Sequence, residues 1–286
     1  ISDDDVDRQI QQLGYHLWRT LLPADLRELY ANERERWHDH SLLIYSDEPH
    51  LPWELIWPYD DVNGTWKDDA PWCVTIHLTR WLRRDAQGNG NEAAPSTLSL
   101  RTAAILAPQY QRLNNLPLAP IELSTLKALF TARHITDVSP ASASWGEVMD
   151  LLEGGNYDWI HMASHGSFYA QAPTSDSAIW LDRDKALTPE HLGGPDMTLH
   201  FRQKRPAFVF NACEVGRQGW ALTRIGGWAN QLVSLNAGLF IGPLWIVSDS
   251  GAATFSGALY GALLDGETVG TAVQKARRDA RALGDP

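Results

Sequence analysis

From Thr102 onward, short apolar runs rich in β-formers alternate with amphipathic stretches, and this alternation constrains the fold more than any other feature of the sequence. It predicts strands at Thr102–Leu106, Ile135–Val138, Trp159–Ala163, Ala207–Asn211 and Leu239–Val247. Helices are predicted at Ile121–Thr131, Trp145–Leu152 and Gly227–Leu235, and near Ala252–Leu264 and Val269–Leu283. Apolar strands separated by helices imply a mostly parallel sheet flanked by helices, an α/β fold. In such sheets reactive groups gather at the carboxyl ends of the strands.

Upstream, the pattern predicts helices around Val6–Leu22 and Pro23–Trp37, a strand at Leu42–Tyr45 and a second at Trp72–Leu82. A stretch from Asp85 to Pro95, rich in Gly, Asn and Ala, reads as an exposed loop or boundary. The expected organisation is a subdomain of helices and strands over residues 1–97, followed by the α/β domain over residues 98–286.

Composition excludes several classes. The 286 residues are 44% hydrophobic, enough to bury a full core. A formal charge of -11 and a pI near 5.3 argue against nucleic acid or an anionic membrane as a partner, since either needs a basic surface. The longest apolar run, Ala237–Val247, is about half a membrane span. The first thirty residues hold no basic-then-apolar leader, so a soluble, cytoplasmic protein is expected. The opening Ile, in place of Met, reads as an excerpt of a longer polypeptide or a processed product. Only Cys73 and Cys213 are present, with neither disulfide nor metal spacing, which fits a reducing compartment. With no His-x-x-His, paired Cys-x-x-Cys or Gly-rich phosphate loop, no metal and no cofactor is expected. The Gly-x-Gly at Gly88–Gly90 belongs to the polar break and follows no strand.

Two strand ends carry unusual chemistry. Trp159–Ala163 runs through Ser164 into His165-Gly166, and Ala207–Asn211 runs through Ala212 into Cys213. If the strands are neighbours, imidazole and thiol share one crevice. A thiol is a nucleophile as its thiolate, and a nearby imidazole can take its proton and later return it to a leaving amine. Gly166 would let a backbone N–H approach the substrate carbonyl and, with the N–H of Cys213, form an oxyanion hole. The 48 positions from 165 to 213 match the spacing of about 50 between the caspase histidine and cysteine.

Other residues of the same types have plainer readings. Free cysteine is among the most buried residue types, so without the shared strand-end placement Cys213 and His165 would read as core. Cys73, among Trp and Ile, reads as a small buried hydrophobe, and His161, within an apolar strand, as a hydrogen-bonded core histidine. The thirteen tryptophans fill the core and the contacts of the N-terminal part, with Trp53 and Trp180 as alternative groove residues. Lys275–Arg281 reads as a solvated basic helix face.

The chain resembles the CHAT domain, a caspase-like family often attached to tetratricopeptide repeats, and more distantly separase. The resemblance is carried by Leu51-Pro52-Trp53-Glu54-Leu55, by His165-Gly166, by Asn211-Ala212-Cys213-Glu214, and by Leu244-Trp245-Ile246-Val247-Ser248-Asp249 with Ala252, Phe255, Tyr260, Leu263, Gly266 and Ala276-Arg277. It implies a caspase-type sheet, an acyl-enzyme on Cys213 with His165 as acid/base, and a protein substrate contacted by Asn211, Trp245 and Asp249. Asp249 would receive a basic residue before the cut; alternatively it caps the helix that follows. Asn211-Ala212-Cys213-Glu214-Val215 departs from the caspase Gln-Ala-Cys pattern, so preference for Asp does not carry over. The resemblance also implies control by an attached sensor, repeat domain or partner, with Ser167–Leu187 as the segment it would order. A catalytically silent scaffold and a hydrolase of another acyl bond are the competing functions.

Overall fold

The computed structural model describes residues 3–46, 48, 50–61, 64–82, 95–213, 215–217, 219–221 and 224–283. The polar break at 85–94, with Gly88 and Gly90, and Glu214 of the cysteine motif lie outside the described residues. The chain forms two compact units. One comprises Ile1–Ser46, Leu51–Trp81 and Thr254–Pro286, and the other Asp47–His50 and Leu82–Ala253. This division differs from a single cut after residue 97, because the end of the chain groups with its beginning.

In the first unit, helices Asp3–Leu21 and Ala24–Trp37 are separated by Pro23, which lacks the N–H that would continue a helix. Their apolar residues meet in an aromatic core. Tyr30 lies with its ring 5.2 Å from Trp18 and 5.3 Å from Trp37, both edge-on. Its hydroxyl donates to Asp69 at 2.9 Å. The predicted strand at Trp72–Leu82 is corrected. After Pro71 the chain takes one helical turn, Trp72–Thr75, and only His77–Leu82 is extended, paired with Ser41–Ser46. Pro71 fixes a φ suited to the start of a helix and overrides the β-preference of the residues after it.

Helix Val269–Ala282 packs on this turn. Its basic cluster is not simply a solvated face: Arg278 donates to Val74 O at 2.7 Å and pairs with Asp39 at 2.9 Å, and Arg281 lies 5.0 Å over the Trp57 ring. The guanidiniums satisfy carbonyls that a short helical turn leaves open. Cys73 sits in this turn, partly exposed, and desolvation pushes its thiol above the usual range, which disfavours its thiolate.

The second unit holds a five-stranded, wholly parallel sheet in the order Leu239–Ile241, Ala207–Asn211, Trp159–Ala163, Thr102–Leu106, Thr136–Asp137. Side chains alternate between its faces. Ala104, Leu106, Ile160, Met162, Phe208 and Phe210 join one buried cluster with residues of helices Trp145–Gly154, Pro195–Lys204 and Trp228–Ser234. The opposite face receives helix Ala119–Ala132. Leu239–Val247 shortens to Leu239–Ile241 because Gly242-Pro243 ends the strand, proline having no ladder N–H to give. In the sequence between the two central strands, a separate three-stranded antiparallel sheet forms from Gly166–Ser167, Ala178–Leu181 and Lys185–Leu187, which periodicity missed. Ile179 and Leu181 are fully buried and, with Leu187, join the core, so Ser167–Leu187 is not a wholly polar segment. No helix among the described residues is long and apolar enough to cross a membrane.

Asp158 anchors the foot of the central strands. Its carboxylate accepts from the Ser99 hydroxyl at 2.9 Å and from the backbone N–H groups of Arg101 and Thr102 at 2.8 and 3.1 Å. Desolvation raises its pKa, but these hydrogen bonds outweigh it and hold the group below its ordinary value. A depressed folded pKa contributes stability above the unfolded pKa and loses it as pH falls through the folded one. Asp158→Asn is therefore expected to cost about 2 kcal/mol at pH 7. It should also flatten the loss of stability below about pH 4, as read by urea melts across pH.

Candidate active site

The site is built where the two central strands end. In their parallel register Ala163 stands beside Asn211, and the Ser164 N–H donates to Asn211 O at 3.2 Å. His165 and Cys213 each follow two residues beyond this last pair, so the register brings their loops side by side. Gly166 shows how close they lie: a Cβ there would stand 2.3 Å from Cys213 O, 2.8 Å from Val215 Cγ1 and 3.3 Å from Ala212 C. Only hydrogen fits between the loops. The Cys213 loop is tied on its other side by Gly216, whose N–H donates to Pro243 O at 2.8 Å.

One pocket is lined by His165, Cys213, Ser164, Asn211, Glu122, Asp249 and apolar neighbours that include Leu116 and Val247. Its charged residues are acidic, with no Lys or Arg among those lining it. Asp249 is the first residue of helix Asp249–Leu264, but it does not cap it. Ser248 does: its hydroxyl accepts from the Gly251 N–H at 3.0 Å and its carbonyl from the Ala252 N–H at 2.9 Å. Trp245 is 38% exposed and is not among the lining residues.

Two supports of His165 were invisible to motif reading, because one is a backbone carbonyl and the other lies 55 residues away. The Asn114 carbonyl stands 2.6 Å from His165 Nε2. A carbonyl only accepts, so Nε2 carries the proton and Nδ1 is the acceptor left for a thiol. The Tyr110 hydroxyl accepts from the His165 backbone N–H at 2.8 Å and donates to Trp180 O at 3.2 Å. Burial pushes the Tyr110 phenol up to about 12, aided by Asp182 and Asp184 and opposed by the His165 N–H. It thus stays protonated and able to serve both bonds. Among the described residues no hydrogen bond joins the thiol to the imidazole, a looseness common in unliganded sites. His161 is a buried core histidine, 1% exposed, with Nε2 2.8 Å from Glu122.

A parallel sheet whose central strands end in adjoining histidine and cysteine loops defines the class as caspase-like. The chain belongs to the CHAT domain family, whose model matches residues 8–284. Its fold is similar to that of the Arg-specific cysteine proteinase gingipain R, with a TM-score of 0.54 at 12% identity over 92% of this chain and 64% of that one. The complex of pro- and mature domains of the Porphyromonas gingivalis enzyme gives 0.49 at 12% identity, over 96% and 66%. The Drosophila initiator caspase Dronc gives 0.31 at 12% identity, over 40% and 50%. The chain thus spans between half and two thirds of each of these chains. No curated protein matches its sequence.

Proposed function

We propose that the chain is a cysteine endopeptidase that acts through Cys213 and His165, cuts after a basic residue, and is controlled by an attached sensor or partner. The observation that carries this reading is an acidic pocket lined by both residues of the dyad. In the proposed reaction His165 Nδ1 takes the thiol proton, and the Cys213 thiolate attacks the scissile carbonyl carbon. The oxyanion is held by the N–H groups of Gly166 and Cys213. As the C–N bond breaks, the imidazolium returns the proton to the leaving amine. A water, deprotonated by His165, then releases the acyl group from sulfur. Asp249, relieved of capping, offers its carboxylate to the basic side chain, and Asn211 completes the wall. Trp245, exposed beyond the pocket, would contact the substrate further along the chain.

Labelling by peptidyl electrophiles ending in Arg, Lys, Asp or Gln, read by mass spectrometry, tests the reading. Adducts on Cys213 are expected, absent in Cys213→Ala and at least about 100-fold slower in His165→Ala. Asp249→Asn should remove preference for Arg and Lys while leaving the Gln probe unchanged. Equal labelling of all probes by the native chain would refute the preference for a basic residue. No adduct, even with the attached partner supplied, would leave the scaffold.

A further inference from the structure

Segment 110–122 meets the site at a third point, where neither the motifs nor the proposed reaction explains what is found. Glu122, in the first turn of helix Ala119–Ala132, is buried, its side chain 5% exposed. Its Oε1 stands 2.8 Å from His161 Nε2 and 2.9 Å from Asn211 Nδ2, and its Oε2 stands 3.2 Å from Asn211 Nδ2. His161 and Asn211 lie on the two neighbouring central strands. One carboxyl group therefore ties the two strands together, holding one at its middle, four residues before His165, and the other at its end, two residues before Cys213. The segment that carries Glu122 also carries the Asn114 carbonyl and the Tyr110 hydroxyl that hold His165.

Burying a carboxyl group is costly, and an apolar residue of similar volume would stabilise a core at least as well. What an apolar residue could not do is set direction. Carboxylate oxygens accept, so the donor end of the Asn211 amide is turned toward Glu122, and the amide is fixed one way round at the pocket wall. We propose that Glu122 is a positioning residue, holding the strands that lead to His165 and Cys213 in register with segment 110–122. Thiol and imidazole are thereby kept within reach of proton exchange. This rests on the cysteine-hydrolase reading above and adds to it a residue outside the dyad and its motifs.

The test is the pH profile of Cys213 alkylation by iodoacetamide, resolved by residue in mass spectrometry, together with inactivation by the peptidyl electrophile that labels fastest. Both are run on the native chain, His165→Ala, Glu122→Gln and Glu122→Asp, with far-UV circular dichroism to establish folding. Asp249 at the pocket, Tyr110 at the imidazole and His161 at Glu122 itself, the other titratable groups that face the site, are unchanged in every variant. The native Cys213 is expected to alkylate faster at neutral pH than the same thiol in His165→Ala, the difference reporting the dyad. In Glu122→Gln the profile should move toward that of His165→Ala, and maximal inactivation should fall about tenfold with half-saturation unchanged. Glu122→Asp, which withdraws the carboxyl group by one methylene, should lie between, and it replaces Glu122→Gln if that variant does not fold. A folded variant with the native profile and native inactivation would overturn the proposal and leave Glu122 a core contact. A native chain whose Cys213 alkylates no faster than in His165→Ala at any pH would refute the dyad itself, and the role of Glu122 with it.

Discussion

Replacing Gly166 by Ala is expected to abolish the site while leaving most of the fold intact. The added methyl would lie 2.3 Å from the Cys213 carbonyl oxygen and 2.8 Å from Val215 Cγ1. The first of these is backbone, so no rotamer change relieves it. The Cys213 loop cannot retreat freely either, because the Gly216 N–H is bound to Pro243 O at 2.8 Å. Nor can the His165 loop, whose carbonyl accepts from the Trp180 N–H at 2.9 Å and whose N–H donates to Tyr110. Overpacking of this kind costs about 1–3 kcal/mol. The larger effect is on chemistry, since a displacement on the order of 1 Å between reacting groups costs on the order of 100-fold in rate. Gly166→Ala should thus melt only a few degrees lower, at about 2–4 °C per kcal/mol, yet label on Cys213 on the order of 100-fold more slowly. Labelling at the native rate would mean that the two loops do not share a reacting centre.

The chemistry at these strand ends was legible because its context was. Thr102–Leu106, Trp159–Ala163 and Ala207–Asn211 are buried on both faces, so each appears in the sequence as a bare apolar run with sharp ends. His165 and Cys213 stand out because each follows such a run at the same distance. The supports of the site had no comparable signal. Asn114 contributes a main-chain carbonyl, which any residue would carry, and Glu122 lies within an amphipathic helix where a polar residue is ordinary. Asp249 was ambiguous for a specific reason: Ser248 and Asp249 are both good cap residues, and only the hydrogen bonds to Gly251 and Ala252 decide between them. Trp72–Thr75 was misread because a turn after Pro71 is set by proline geometry and by the packing of helix Val269–Ala282, two hundred residues away in sequence. The sheet that holds Gly166–Ser167 was missed because its strands are two to four residues long, too short for a period to register.

Phe208→Ala should do the reverse of Gly166→Ala, unfolding the α/β unit at much lower temperature while sparing the site in the molecules that remain folded. Phe208 is 0% exposed at the middle of the cysteine strand, paired in register with Ile160 on one side and Phe240 on the other. Its ring stacks on Phe201 at 5.4 Å and meets Tyr157 at 6.2 Å and Phe210 at 5.8 Å edge-on. Truncation to Ala loses the transfer energy of the ring and leaves a cavity in a layer pinned on one side by the sheet, about 3–5 kcal/mol in all. For a unit of this size the midpoint should fall by on the order of 10 °C, and Phe208→Leu, which fills most of the space, by less than half as much. The side chain points away from the Glu122 face, because Phe208 and Phe210 alternate with Val209 and Asn211 along the strand. At temperatures well below the lowered midpoint, the rate of Cys213 labelling should therefore stay within about twofold of the native chain. A large fall in rate without unfolding would mean that the core and the site are coupled through the strand, and that the register at Asn211 depends on the packing of the opposite face.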